Sequence, residues 1–296
     1  MLRKEWSLIV YSLMLQAAVG IVFFLLVFRL IFAGESGAGQ MTSQTMNPLT
    51  SRTMGLTGLL ILAGMAVSVF HLGNPFRAYR SVTNLSKSWL SREIFFTSAF
   101  FVLWAAGFLM EKYGNLSFLL IWLTLGAGVL VILSMARIYY STGKTGWHSA
   151  TTFLDFFGTP VIFGTLVSAV MLYGQRRTDG VENLLIIFSI LSLFIVIARF
   201  SMQLKLVEKC LSSQEEYSMD QLVGASLPAR DIIPLYRKMM IRGFFCTFAG
   251  CSLILLMMMI RIFDSGHLLI VFPAVLVVAG EISSRSSFYL IGSDES

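Results

Sequence analysis

His71 and Glu93 are the side chains best suited to chemistry, and they frame one polar stretch between two long apolar runs. An imidazole can hydrogen-bond a ring oxygen, and a carboxylate can accept a proton. Four cations, Arg77, Arg80, Lys87 and Arg92, lie between them, with no acid before Glu93. In His71-Leu72-Gly73-Asn74-Pro75-Phe76-Arg77-Ala78 the glycine lets the backbone turn freely, and the proline stops a helix and removes a donor. Arg77 and Arg80 then bring cations back toward the polar edge of a bilayer. That arrangement holds the imidazole at the mouth of a pocket. Ionisable groups at membrane depth are costly and are read first as functional. Trp89 is close to both residues in sequence and joins them as a candidate. Each also has a plainer role: His71 as the cap of a helix end, and Glu93 at a helix start, where the macrodipole favours it and Ser91 caps it.

The elements that must position these residues are membrane spans. Of 296 residues, 56% are hydrophobic and only 13% charged, where a soluble domain carries about 25% charged residues. The net charge of +6 therefore reads as orientation in a bilayer and not as a nucleic-acid footprint. A spanning helix needs about 20 mostly apolar residues. Eight runs qualify: 7–32, 54–71, 93–110, 117–136, 153–173, 183–204, 241–262 and 268–291. Runs of this length exclude barrel strands, which alternate over about ten residues. The expectation is an all-α polytopic bundle of eight transmembrane helices forming a single integral domain. The first run is too long for a secretory signal and is read as an uncleaved span.

The connections differ in character. The stretch from Ala33 to Thr53 is polar but nearly uncharged, whereas 205–240 is long and rich in both signs. The latter is expected to form surface helix and to be a contact for a soluble partner, with a solvated linker as the alternative. With eight spans both termini share a side, which also collects Arg3, Lys4, Arg77, Arg80, Lys87 and Arg92. Lys and Arg in short loops mark the cytoplasmic face, so the termini are expected there.

Further polar residues interrupt the runs. Glu281 and Arg285 stand four apart on one helix face, acid first, the better order for a pair; the expectation is a structural pair that pins helices. Arg29, Arg137 and Arg199 are read as snorkelling to the headgroups, and Asp155 as a cap of the fifth span. The tryptophans other than Trp89 fit aromatic belts. Cys210, Cys246 and Cys251 lack any Cys-x-x-Cys spacing, and the three histidines, His71, His148 and His267, are not placed to ligate a haem on facing helices. No metal, haem or other redox cofactor is expected to be held by this chain.

The run His71 to Ala78, the Ser91-Arg92-Glu93-Ile94 that follows and the terminal Gly280-Glu281-x-x-x-Arg285-x-x-Phe288-Tyr289 resemble the membrane-anchor subunit of dimethyl sulfoxide reductase, over essentially the whole chain. Ser284 departs from that pattern at a position where glycine is expected, which bears on helix packing there. The resemblance implies a haem-free anchor that binds menaquinol and tethers a molybdopterin catalytic subunit and a four-cluster iron–sulfur subunit in a bacterial inner membrane. It ties His71 and Glu93 to the quinol site, with Arg77 in the same motif. The function expected is menaquinol oxidation in anaerobic respiration: His71 hydrogen-bonds a ring oxygen, Glu93 accepts a proton, and Arg77 or Arg92 holds the local charge beside Trp89. Electrons pass to the iron–sulfur subunit, and the catalytic subunit reduces an S- or N-oxide. Two alternatives stand beside this reading. One is a quinone-interacting membrane subunit of the polysulfide-reductase type. The other is a proton-coupled secondary transporter using Glu281, Arg285 and Glu93.

Overall fold

The computed structural model describes residues 2–33, 41–69, 84–113, 117–144, 146–172, 179–216, 229–260 and 269–292. They form eight helices and, among the described residues, no strand: α1 (Leu2–Ala33), α2 (Met41–Val69), α3 (Trp89–Lys112), α4 (Phe118–Tyr140), α5 (Ala150–Leu172), α6 (Asp179–Glu216), α7 (Ala229–Met259) and α8 (Val271–Gly292). In lipid, every backbone N–H and C=O must be satisfied within its own segment, so long apolar runs become helices. Seven of the eight, α1 to α7, are long and apolar enough to cross a membrane. Glu281, Arg285 and several serines bring α8 below the others in hydropathy, but its 22 residues rise about 33 Å, enough for the same crossing. The chain is an all-α polytopic membrane protein.

Two helices extend beyond the apolar runs. α2 begins at Met41, inside the polar stretch read as a connection, and α6 continues to Glu216. Much of 205–240 is therefore the projecting ends of α6 and α7 and not a loop, because a helix already nucleated in the bilayer adds residues cheaply at its end.

The hub is α1, which is as deeply buried as α5 and packs against α2, α4, α5 and α8. Its Leu15, Ala18 and Leu26 are almost wholly inaccessible, as are Phe100 of α3, Val131 of α4 and Phe156 of α5. Close approach to α5 depends on glycine: a Cβ added at Gly164 would lie 2.6 Å from Gly20 O, and one at Gly20 would meet Pro160 O. Small residues that let backbones meet are the usual basis of helix packing in lipid. α7 and α8 use the same device with the roles exchanged. The α8 backbone at Ser284 lies against Gly243 of α7, where a Cβ would come within 3.0 Å of Ser284 N. The glycine expected at 284 is thus supplied by the facing helix.

Contacts between helix ends fix the bundle's polarity. Tyr11 near the start of α1 meets Thr97 near the start of α3, and Tyr139 at the end of α4 meets Tyr289 at the end of α8. At the opposite end Arg29 of α1 pairs with Glu111 of α3 at 3.1 Å. The end that carries Tyr11, Glu93 and Tyr289 is called the rim below.

Candidate functional site

Glu93 sits in the second turn of α3. The helix starts earlier than the apolar run suggests, because Ser88 is the N-cap: its hydroxyl accepts from Ser91 N at 3.3 Å. Ser91 is therefore a capped residue and not the cap expected for it. Starting at Trp89 carries Glu93 inward, to 7% exposure, where the bundle interior replaces water around its carboxylate. The Tyr11 hydroxyl is the polar neighbour of that carboxylate, and it also meets Thr97 Oγ1 at 3.4 Å. Tyr289 and Tyr139 lie beyond, joined through their hydroxyls at 2.9 Å, with Ser12 beside Tyr289. The result is a carboxylate facing a row of hydroxyls from α1, α4 and α8, which can accept, hold and hand on a proton.

Arg92 and Trp89 flank this carboxylate in sequence but serve the turn before the helix. Arg92 donates from Nε to Leu85 O and from Nη2 to Ser86 O, both at 2.8 Å. Its guanidinium lies 4.1 Å over the Trp89 ring, and Arg137 of α4 lies 5.6 Å from the same ring. A cation–aromatic stack thus closes the turn and fixes where α3 begins. His71, Arg77 and Arg80 lie outside the described residues.

A second polar group is buried between α5, α6 and α8. Arg199 donates to Asp155 Oδ1 at 3.0 Å and to the two oxygens of Glu281 at 2.9 and 3.2 Å. Gln203 donates to the Asp155 carboxylate at 3.3 and 3.5 Å, and Thr159 to Glu281 Oε2 at 2.7 Å. This corrects three expectations. Glu281 pairs with Arg199 and not with its own helix neighbour Arg285. Arg199 does not snorkel; it is 5% exposed. Asp155 is an ion-pair partner and not a cap. Arg29 likewise pairs with Glu111, whereas Arg137 is exposed among aromatic rings at the rim.

Arg285 goes elsewhere. Its Nη2 donates to Gln16 Oε1 of α1 at 2.7 Å and to Asp155 O at 3.2 Å, and its guanidinium lies 4.1 Å from the Phe156 ring. A fully buried guanidinium needs hydrogen-bond acceptors and nearby negative charge; here Nη2 alone is met, the Phe156 face lies against the guanidinium, and Nε and Nη1 have no hydrogen-bond partner among the described residues. Glu281 and Arg285 thus do not form the pair expected of them. Each ties α8 to other helices, Glu281 to α5 and α6, Arg285 to α1 and α5.

Sequence reasoning gave Gln203 and Gln16 no role and misplaced Arg199, yet a signal was present. Asp155 and Thr159, Arg199 and Gln203, and Glu281 and Arg285 are polar pairs four apart inside apolar runs, so each pair shares one helix face. Polar faces in lipid turn inward and find one another.

Comparison with known proteins gives a consistent result. The family model described as DMSO reductase anchor subunit (DmsC) matches residues 2–291. The protein is 27% identical over 289 residues to the YnfH subunit of an anaerobic dimethyl sulfoxide reductase of Escherichia coli (strain K12), an alignment covering 96% of this protein and 94% of that one. It is 26% identical to the corresponding subunit of the anaerobic dimethyl sulfoxide reductase of Haemophilus influenzae, over 79% of this protein and 78% of the relative. With a second such subunit from Escherichia coli it shares 29% identity, over 64% of its own length and 66% of the other.

Proposed function

The chain belongs to the DMSO reductase anchor subunit family, and from that premise we propose that it oxidises menaquinol at the rim, where Glu93 is the proton acceptor. The observation that carries this reading is the buried Glu93 carboxylate one turn inside α3, facing Tyr11 and, beyond it, Tyr139 and Tyr289. A quinol gives up two electrons and two protons. In this reading its ring enters from the lipid beside the start of α3, His71 hydrogen-bonds one ring hydroxyl and takes its proton, and the other hydroxyl delivers its proton to Glu93. Arg77 balances charge there, while Trp89 and Arg92 shape the turn that presents Glu93. The electrons leave for an iron–sulfur subunit docked on this protein, and a molybdopterin subunit consumes them in reducing an S- or N-oxide. In this reading the membrane is a bacterial inner membrane, and the excess of Lys and Arg on the rim side supports a cytoplasmic orientation for that side.

The test is single-turnover reduction. The intact complex is mixed with a reduced menaquinone analogue, and the iron–sulfur signal of the partner subunit is followed by electron paramagnetic resonance. Glu93→Gln preserves shape and hydrogen-bonding but cannot take up the proton; it is expected to slow cluster reduction by quinol while dithionite still reduces the cluster fully. Wild-type rates in Glu93→Gln contradict the assignment.

A further inference from the structure

Quinol oxidation at the rim makes no use of the ion-paired group at Asp155, Arg199 and Glu281, nor of two small cavities that adjoin it. The first, of about 20 Å³, lies between α6, α7 and α8, and its walls include Arg199, Gln203, Thr247, Glu281 and Ser284. The second, of about 10 Å³, is bounded by Gly146, Thr151, Thr152, Asp155, Gln203 and Tyr236 among others. Gln203 lines both. Gly146 belongs to the connection between α4 and α5, so the second cavity leads from the rim end of the bundle to the Asp155 carboxylate.

A void of roughly 10–15 Å³ admits one water when it offers polar partners, and each wall, though largely apolar, carries several polar side chains. Two features mark unmet hydrogen-bonding capacity on those walls. Thr247 is 2% exposed and its Oγ1 has no hydrogen-bond partner among the described residues. Among the described residues, Asp155 Oδ2 is met only by Gln203 Nε2 at 3.5 Å, the limit of a hydrogen bond. Buried polar atoms left in this state are normally met by internal water. The neighbouring charged and titratable groups include Arg199 of α6, Arg285 of α8, and Cys251 and Tyr236 of α7.

We propose that the two cavities hold internal water that, with Gln203, Asp155, Arg199 and Glu281, forms a proton path between the bundle interior and its rim end. At the inner end Thr159 bonds Glu281, and Arg285 Nη2 reaches both Thr159 and Gln16 of α1, at 3.4 and 2.7 Å. Gln16 lies little more than one turn along α1 from Tyr11, the hydroxyl that faces Glu93. The transfer itself runs between the Glu281 and Asp155 carboxylates through the cavity water, where a proton taken up at one end displaces another at the other, so no electron or co-reactant is consumed. Arg199 and Arg285, which only donate, hold the two ends in place. Hydration of the cavities stands independently of the quinol reading; their use as an exit for the quinol's proton rests on it.

Two measurements on the intact complex test the proposal. Radiolytic hydroxyl labelling oxidises side chains that touch bound water. Phe244 and Tyr236, on the two cavity walls, are expected to be labelled, while Phe194, exposed only to the hydrocarbon, is not. Thr247→Val keeps the shape and removes the hydroxyl, and is expected to lower labelling of Phe244 severalfold. Absence of labelling in the wild type, or no change in Thr247→Val, overturns the water site. The second measurement is quinol-analogue oxidation in Gln203→Leu and Thr247→Val, which is expected to slow severalfold with a larger solvent deuterium isotope effect and unchanged analogue affinity. An unchanged rate and isotope effect overturn the path. A wild-type rate of cluster reduction by quinol in Glu93→Gln refutes the rim assignment instead, and leaves the labelling result standing on its own.

Discussion

Replacing Arg199 by Met tests whether three helices are held together by one guanidinium. Arg199 makes bonds of 3.0, 2.9 and 3.2 Å to two carboxylates, each nearly inaccessible. Methionine fills most of the volume but leaves both acids in the interior. Among the described residues Asp155 then retains the 3.3 and 3.5 Å contacts from Gln203, and Glu281 the Thr159 hydroxyl at 2.7 Å. Removing one member of a buried ion pair costs about 3–5 kcal/mol, most of it from the uncompensated partner. That corresponds to roughly two to four orders of magnitude in the folded-to-unfolded ratio. The assay is unfolding of the purified protein in mild detergent by titration with dodecyl sulfate, followed by circular dichroism. Adding Asp155→Asn and Glu281→Gln to Arg199→Met neutralises the stranded acids and is expected to recover more than half of the loss. A cost for Arg199→Met within about 0.5 kcal/mol, the range of an ordinary surface change, refutes the reasoning.

Removal of the α3 cap by Ser88→Ala is expected to destabilise by about 1 kcal/mol and to loosen the turn that Arg92 closes, read as faster amide exchange at the start of α3. Gly20→Val forces α1 away from Pro160 of α5, and a loss above about 3 kcal/mol is expected, as for severe overpacking; the same detergent titration measures it. By contrast Arg137→Gln, on an exposed side chain, should shift that midpoint by less than about 0.5 kcal/mol.

The eight helices were legible because the bilayer fixes a minimum apolar length, and hydropathy reads that length directly. Helical residues outside the hydrocarbon leave no such mark, so the start of α2 at Met41 and the continuation of α6 to Glu216 could not be read from apolar runs. Glu93 was legible as a carboxylate at a helix start. Its burial was less so, because the N-cap lies at Ser88 and the helix has already made a turn. The ion group was hidden for a different reason. Periodicity describes one helix at a time, and the partners of Arg199 lie 44 and 82 residues away in the sequence. The spacing rule found Glu281 and Arg285 on one face but carries no information on what faces them. A guanidinium from α6 reaches Glu281 with two bonds, and Arg285 instead finds Gln16 and a carbonyl on α5. His71 and Arg77, read from the same polar stretch as Glu93, lie outside the described residues.

The central claim, a quinol held at the rim beside Glu93, is tested most directly by equilibrium titration of the intact complex with a fluorescent quinol analogue. Wild type is predicted to bind one analogue per anchor, and the double variant His71→Ala with Glu93→Gln to lose saturable binding while still assembling with its partner subunits. Saturable binding of undiminished affinity in the assembled double variant would contradict the account.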